Sequence, residues 1–393
     1  MAVLKAIKIR IYPNSNQRLV FAQTFGCTRW LWNRMLDMQI KRRENNPEAN
    51  YVSVFDMNNL LTQLKNEYPW LKQVESSALQ NTNESLNDAF QRFFKGQNGF
   101  PKFKKRKYAQ SFTSKYNSNN IEVIDDHHLK FPKLNRQPLY YRSGRPIEGK
   151  IKRVTIRQNS AGQYYASVLV ENEVKQLSKT NQSIGADLGL KALLNFSNGE
   201  KEPLKRFEEL NRKLHHWQKL ATRRLRGAKR EMAWQEHNHY PVSPLSSFQN
   251  YQKARKMVAK YYQKITNIRI DQAQKLTTEL VRQNDTIVLE KLNIKAMMKN
   301  HRLARAVANA SWSRLIAILQ YKCNWYGKQL IQVNPAYTSQ TCINCGKTNH
   351  RLGLNKFDWL KIREWDCPHC GKHLDRDVNA AQVILKKRLG KNS

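Results

Sequence analysis

Hydrophobic positions change period along the chain, and the changes divide it. Residues 3–12 alternate apolar and polar side chains as a strand does, and the run stops at Tyr12-Pro13. Asn14 or Ser15 can cap the helix that follows. That helix carries Leu19, Phe21, Ala22, Phe25, Trp30, Leu31, Met35 and Leu36, and Gly26 marks a break in it. A helix-turn-helix and a helical bundle with an aromatic core both suit the pattern. Helical spacing continues through Leu60, Leu61, Leu64, Trp70 and Leu71. It resumes at Ser76-Ser77 with Leu79, Leu86, Ala89, Phe90, Phe93 and Phe94. From Ser111 to Val174 the period is two. Thr155–Arg157, the turn Asn159-Ser160-Ala161-Gly162 and Tyr164–Val170 read as a hairpin, with further strands at Leu129–Phe131 and Leu139–Tyr141. These strands predict a small β-barrel completed by the N-terminal strand.

A different pattern starts at Ser183. Ser183–Leu190 reads as a strand whose Asp187 lies among small and apolar residues, and Lys191–Phe196 returns beside it through to an Asn198-Gly199 turn. Residues 203–233 and about 251–282 have helical spacing and pair as an antiparallel hairpin around a polar loop, His237–Asn250. Thr286–Glu290 is an apolar strand of the kind buried on both faces, ending in a carboxylate. A helix over about 309–327 and a strand at Leu330–Val333 complete this part.

Composition adds a partner. Lys plus Arg number 69 against 30 Asp plus Glu, a formal net charge of +39. Such a chain repels itself until something anionic neutralises it, which points to nucleic acid, in an enzyme or in a ribosome-like structural protein. Four of the six cysteines cluster and two stand alone, a usage that suits a reducing, cytoplasmic setting better than a disulfide scaffold. No apolar run reaches the roughly 20 residues of a membrane span, and the N-terminus lacks a signal-peptide core.

Three groups of residues carry candidate chemistry. Cys342, Cys345, Cys367 and Cys370 form two Cys-x2-Cys pairs separated by 21 residues. Four thiolates so spaced make a closed tetrahedral Zn²⁺ site, structural in role, and leave His350, His369 and His373 as bystanders. The loop around Gly99-Phe100-Pro101 continues with Lys102, Lys104, Lys105, Arg106 and Lys107 among aromatics and no acid. Lysines there can hold phosphates while the aromatics stack on bases. Asp187, Glu290 and Asp377 fall on a strand, at a strand end and at a helix start. An Asp on an otherwise buried strand is costly unless paired or metal-bound. Three carboxylates in that arrangement suit an RNase H-like core holding two Mg²⁺ ions for phosphodiester hydrolysis.

Gly185-Ala186-Asp187-Leu188-Gly189, Leu289–Asn293, Tyr337–Gly346 and Asp375-Arg376-Asp377-Val378-Asn379-Ala380-Ala381 together resemble the TnpB (OrfB) family of transposon-encoded, RNA-guided DNA endonucleases, relatives of the type V CRISPR effectors. Tyr12-Pro13-Asn14, Gly26–Trp30 and Phe100–Lys104 match as well, so the resemblance covers essentially the whole chain. It implies a multidomain α/β protein. Residues 1–12 and 111–180 would form a wedge-like β-barrel and 13–110 a helical recognition lobe. Residues 181–334 and 374–393 would form a RuvC nuclease domain, interrupted by a zinc ribbon at 335–373. It further implies a transposon-derived guide RNA, a double-stranded DNA target beside a short adjacent motif, and Asp187, Glu290 and Asp377 as the Mg²⁺-binding catalytic triad. Asp377 rather than Asp375 is the third acid, because the family's acid precedes x-Asn-Ala. Two departures are the His237–Asn250 insert and Gln274, where the family often has His. A nuclease-inactive RNA-guided repressor and a transposase that joins DNA strands are the competing readings. Repressor relatives generally lose triad acids, and all three are present here. Location with nucleoid DNA follows from the same resemblance, and oligomeric state is left open.

Overall fold

The computed structural model describes residues 2–106, 110–205, 207–359 and 361–388, so Lys107 lies outside the described residues. The chain divides into two compact units, one over Ala2–Glu173 and the other from Val174 onward.

In the first unit, β1 (Ala2–Ile11) leads into α1 (Ser15–Asn45), α2 (Val54–Glu67) and α3 (Ser76–Phe94). Six strands follow: β2 (Gln110–Lys115), β3 (Glu122–Val123), β4 (His128–Lys130), β5 (Leu139–Arg142), β6 (Lys150–Gln158) and β7 (Tyr164–Glu173). They build one seven-stranded sheet in the order β2-β6-β7-β1-β5-β4-β3. The N-terminal strand is its centre: β1 pairs antiparallel with β7 along its whole length. The hydrogen-bonded ladder is open at β2 and β3, but the sheet curls. Phe112 on β2 and Phe131 just after β4 come from opposite ends of the order, yet their rings lie 6.1 Å apart. Phe21 of α1 fills the space between, 5.9 Å from Phe112, 6.1 Å from Phe131 and 6.0 Å from Tyr164. The expected barrel is thus closed by packed aromatics rather than by a last row of hydrogen bonds.

Asn14 caps α1 through a reciprocal pair. Its Oδ1 accepts from Gln17 N at 2.9 Å, and Gln17 Oε1 accepts from Asn14 N at 3.1 Å. The helix then runs through Gly26 without a break, against the expectation. A helical glycine costs about 1 kcal/mol relative to alanine, less than the burial of Phe21, Phe25, Leu31, Trp32, Met35 and Leu36 along the same helix provides. No turn therefore interrupts α1 at Gly26. α1, α2 and α3 pack as a bundle around Leu31, Met35, Met57, Leu61, Leu79 and Leu86.

The second unit holds β8 (Ser183–Leu188), β9 (Ala192–Phe196), β10 (Lys201–Pro203), α4 (Glu208–His237), α5 (Gln249–Gln283), β11 (Thr286–Glu290), α6 (Ile294–Lys299), α7 (His301–Ala310), α8 (Trp312–Tyr326) and β12 (Gln329–Val333). α9 (Lys356–Trp359), β13 (Glu364–Asp366), β14 (His373–Asp375) and α10 (Arg376–Lys386) follow. Its sheet has the order β10-β9-β8-β11-β12. β10, β9 and β8 run antiparallel, whereas β8, β11 and β12 are parallel. The helix expected over 309–327 is two helices, because Ser311 adopts φ 55° and interrupts the ladder between α7 and α8. Ile184, Ala186, Leu188, Ile287 and Leu289 face a core shared with α5 and α8. The alternate residues must then face the other way. On that side Val288 and Val333 pack against Ile384 of α10. No helix among the described residues is long and apolar enough to cross a membrane.

Phe21→Ala removes the ring that fills the curled sheet, a fully buried side chain. It is expected to cost about 3–5 kcal/mol of unfolding free energy in denaturant titration. A loss near zero would mean that the sheet closes without it.

Candidate active site and metal centre

Alternation along the strands places the acids. Gly185 and Asp187 on β8, and Val288 and Glu290 on β11, share the face covered by α10. Leu289 lies opposite Ala186 across the parallel ladder, so Glu290 and Asp187 project from adjacent strand ends. The two carboxyls are hydrogen-bonded to each other. Burial holds Asp187 above the usual carboxylate range, and the nearby negative charge of Asp377 adds to the effect. Glu290 is pushed up to about 9 by burial and then by Asp187. Two buried acids at this spacing cannot both stay ionised without a cation, so one proton is shared between them.

Asn195 is the support that sequence reasoning missed. It lies opposite Asp187 on β9, is 4% exposed, and hydrogen-bonds the Asp187 carboxyl. The signal was present: an amide inside the apolar run Ala192-Leu193-Leu194-Asn195-Phe196.

Asp377 sits in the first turn of α10, which the helix dipole favours for an anion. Its carboxylate meets Arg376 at 2.8 Å and Arg363 at 2.9 Å. Arg363 arrives from the segment before β13 and had no sequence signal. Asp375 does a different job. Its Oδ1 caps α10 by accepting from the backbone of Asp377 and Val378, both at 2.9 Å, and its Oδ2 pairs with Lys201 at 2.9 Å.

What lets α10 reach the acids is Gly185. A Cβ at this position would collide with the Ala381 carbonyl oxygen and lie 2.8 Å from Leu385 Cβ. Ala380 and Ala381 are buried at the contact. The next link is Asn379, 1% exposed. Its side chain donates to Thr341 O at 2.8 Å and accepts from Ile343 N at 2.9 Å, tying α10 to the loop of Cys342 and Cys345.

The sulfurs of Cys342, Cys345, Cys367 and Cys370 lie within 4.8 Å of one another. Cys342 and Cys370 Sγ are 3.7 Å apart, Cys345 and Cys367 Sγ 3.6 Å. A tetrahedral Zn²⁺ with Zn–S bonds of about 2.3 Å sets its sulfurs about 3.8 Å apart. The four thiols therefore fit a zinc ion. His373 is engaged elsewhere, with Asp366 at 2.8 Å.

In the basic loop, Trp32 Nε1 donates to Lys102 O at 3.1 Å, and Asn33 bonds both backbone groups of Lys104, at 2.7 and 3.0 Å. Lys104 Nζ stands 3.6 Å from the Trp32 ring centroid, and desolvation there lowers it to about 8. Lys104 is thus engaged with Trp32 although it is exposed, as are Lys102, Lys105 and Arg106. The loop belongs to the first unit and the three acids to the second.

Three family models match the chain. Residues 312–384 match the Cas12f1-like TNB domain, residues 1–47 a "Helix-turn-helix domain", and residues 167–301 a "Probable transposase". The chain is 33% identical over 98% of its length to a Streptomyces pristinaespiralis protein named "Putative RNA-guided DNA endonuclease", covering 89% of that protein. It is 30% identical over 98% of its length to the Escherichia coli K12 protein with the same name and the suffix InsQ, covering 92% of it. Its fold resembles the protein chain of a cryo-EM Cas12f1-sgRNA-target DNA complex, with a TM-score of 0.58, 12% identity and 98% of each chain covered.

The acid pair predicts a pH dependence. With Glu290 near 9 in the folded chain against 4.5 ordinarily, the folded state keeps a proton that the unfolded chain releases. Stability therefore falls as pH rises from about 4.5 through about 9. In a chelator, the Tm of the parent is expected to drop more steeply between about pH 6 and 9 than that of Glu290→Gln. Parallel curves would show that the pair holds no such proton.

Proposed function

The chain belongs to the TnpB (OrfB) family, and on that premise we propose that it is an RNA-guided DNA endonuclease that hydrolyses phosphodiester bonds in double-stranded DNA with a RuvC-type site. The observation that carries this reading is the buried Asp187–Glu290 pair at adjacent parallel strand ends, with Asp377 on the helix packed across them. The strand order, three antiparallel strands followed by two parallel ones, is what an RNase H-like nuclease core requires.

Each residue has a part. Asp187, Glu290 and Asp377 would hold Mg²⁺, and two such ions supply an activated water and charge stabilisation at the leaving 3′ oxygen. The burial of Glu290 and the partial burial of Asp187 make the pair bind positive charge tightly. Asn195 fixes the rotamer of Asp187. Arg363 and Arg376 hold the Asp377 carboxylate in place by direct ion pairs. Cys342, Cys345, Cys367 and Cys370 would hold Zn²⁺, which contributes folding stability to the ribbon between β12 and α10.

In this reading residues 2–12 and 110–173 serve as the wedge and α1–α3 as the recognition lobe. The exposed Lys102, Lys105 and Arg106 contact nucleic-acid phosphates. The net charge of +39 suits a chain that lies against both a folded RNA and a heteroduplex, where base pairing reads the sequence and the protein reads charge and shape.

The test is purification from cells carrying the flanking DNA, sequencing of the bound RNA, and a plasmid-cutting assay against a target matched to its variable end. Discrete RNA and Mg²⁺-dependent linearisation are expected. Asp187→Ala should lower cutting more than about a hundredfold, beyond what loss of a supporting residue costs, while the RNA stays bound. Undiminished cutting by that variant would reject the site, and joined transposon ends in place of breaks would favour a strand-transfer enzyme.

Zinc gives a separate check. Cys367→Ser is expected to release zinc from the purified chain and lower its Tm. A variant that keeps the parental Tm and contains no metal would show that the clamp needs none.

A further inference from the structure

The helical hairpin of α4 and α5 carries a feature that neither the catalytic site nor the zinc clamp uses. Helical rise makes α5 about 50 Å long. From its middle onward Ile265, Ala273, Leu276, Leu280 and Val281 are buried, but before Ile265 only Ala254 is. The outer part of the hairpin, about 25 Å at the same rise, therefore stands clear of the sheet's core. From Lys219 to Lys260 it carries ten lysines and arginines and two glutamates.

At its tip, Trp234 and Tyr240 stack with ring centroids 5.5 Å apart and planes 12° from parallel. They remain 55% and 58% exposed. The stack is built rather than accidental. Asn238 Nδ2 donates to Trp234 O at 2.8 Å, and Tyr240 N donates to Gln235 O at 2.8 Å. His239, at φ 57°, turns the chain back on itself between them. Gln235 Oε1 accepts from Ser243 N at 2.7 Å and closes the loop. Two large aromatics held parallel in water offer a flat apolar face at the end of a basic hairpin: Arg230 lies one turn below Trp234, the other lysines and arginines follow further down both helices, and Glu231 and Glu236 are the acids of the tip itself. An unpaired nucleobase fits that chemistry: its ring continues the stack while its phosphates meet the lysines and arginines.

We propose that this tip is a stacking platform for an unpaired base of the guide RNA. The inference deepens the RNA-guided reading and rests on it. RNA is favoured over the DNA being cut because the scissile bond must reach the acids, which lie level with Pro203 and Gln272 near the base of the hairpin, about 35 Å along α5 from its tip. An unpaired base in the body of a folded RNA is under no such constraint.

The test uses the full-length ribonucleoprotein, with Trp234→Ala/Tyr240→Ala and Trp234→Phe/Tyr240→Phe as paired variants. Both positions are exposed, so the Tm should stay within a degree or two of the parent. RNA extracted from the parent complex is the probe for filter binding, and a single-stranded DNA of equal length is the control. Loss of one base stack weakens RNA binding by about tenfold in the alanine variant and little in the phenylalanine variant. Ultraviolet crosslinking of the parent is expected to place a nucleotide adduct on the tip. Equal RNA affinity for parent and alanine variant, with plasmid cutting intact, would overturn the platform and leave the nuclease reading standing. Weakened DNA binding with unchanged RNA binding would also overturn it. A parent that carries no discrete RNA would bring down both readings together.

Discussion

The site depends on one close approach. Helix α10 can lie against β8 only because residue 185 has no side chain: any Cβ there would enter the Ala381 carbonyl. Interiors pack too densely to absorb such an intrusion locally. That contact brings Asp377 to the acids on β8 and β11, and buried Ala380 and Ala381 keep the helix face flat enough to allow it. The motif Asp377-Val378-Asn379-Ala380-Ala381 thus has a mechanical reading. One residue supplies charge, one ties down the clamp, and two are small so that the helix can come near.

Electrostatics sets the same acids apart in a protein of very different overall balance. With 69 basic residues against 30 acidic ones, carboxylates such as Asp285 and Asp375 pair with lysines. Asp187 and Glu290 differ because they are desolvated and face each other, so their nearest neighbour repels rather than attracts. Asp377, by contrast, is already neutralised by Arg363 and Arg376. Three acids in one site therefore begin in two electrostatic states. A divalent cation binding at the Asp187–Glu290 pair would have to displace the proton that the two share.

Much of this was legible in the sequence. The strand at 286–290 and the helical hairpin announced themselves through period, and the cysteine spacing announced the clamp, because each is a local pattern. The failures arose where tertiary packing overrode a local signal. Gly26 reads as a break, but buried aromatics on both sides carry α1 through it. Nothing between Asn309 and Gly327 marks Ser311, whose φ of 55° separates α7 from α8. The basic loop read as uniformly free charge, yet Lys104 had a partner 72 residues earlier, Trp32, that no local pattern reveals. Arg363 was invisible for the same reason. Asn195 was visible as an amide in an apolar strand, and only the register to Asp187 gave it meaning.

The position of the third acid poses a mechanical problem that the fold answers. Between the end of β12 at Val333 and the start of α10 at Arg376 the chain leaves the sheet, passes both cysteine pairs and returns. A segment of that length places little constraint on where its ends meet, since loop closure weakens only slowly with length. Asp377 would then be the least well fixed of the three acids, and a metal-binding carboxylate tolerates little displacement. Three contacts remove that freedom: Asp375 caps the helix, Asn379 fastens it to the loop of the first cysteine pair, and Arg363 reaches Asp377 from beside the second. The clamp is accordingly more than a stable insertion. By anchoring both Asn379 and Arg363 it converts a long excursion of the chain into a rigid bracket for a single carboxylate, and this gives the four-cysteine cluster a physical reason to stand next to Asp377.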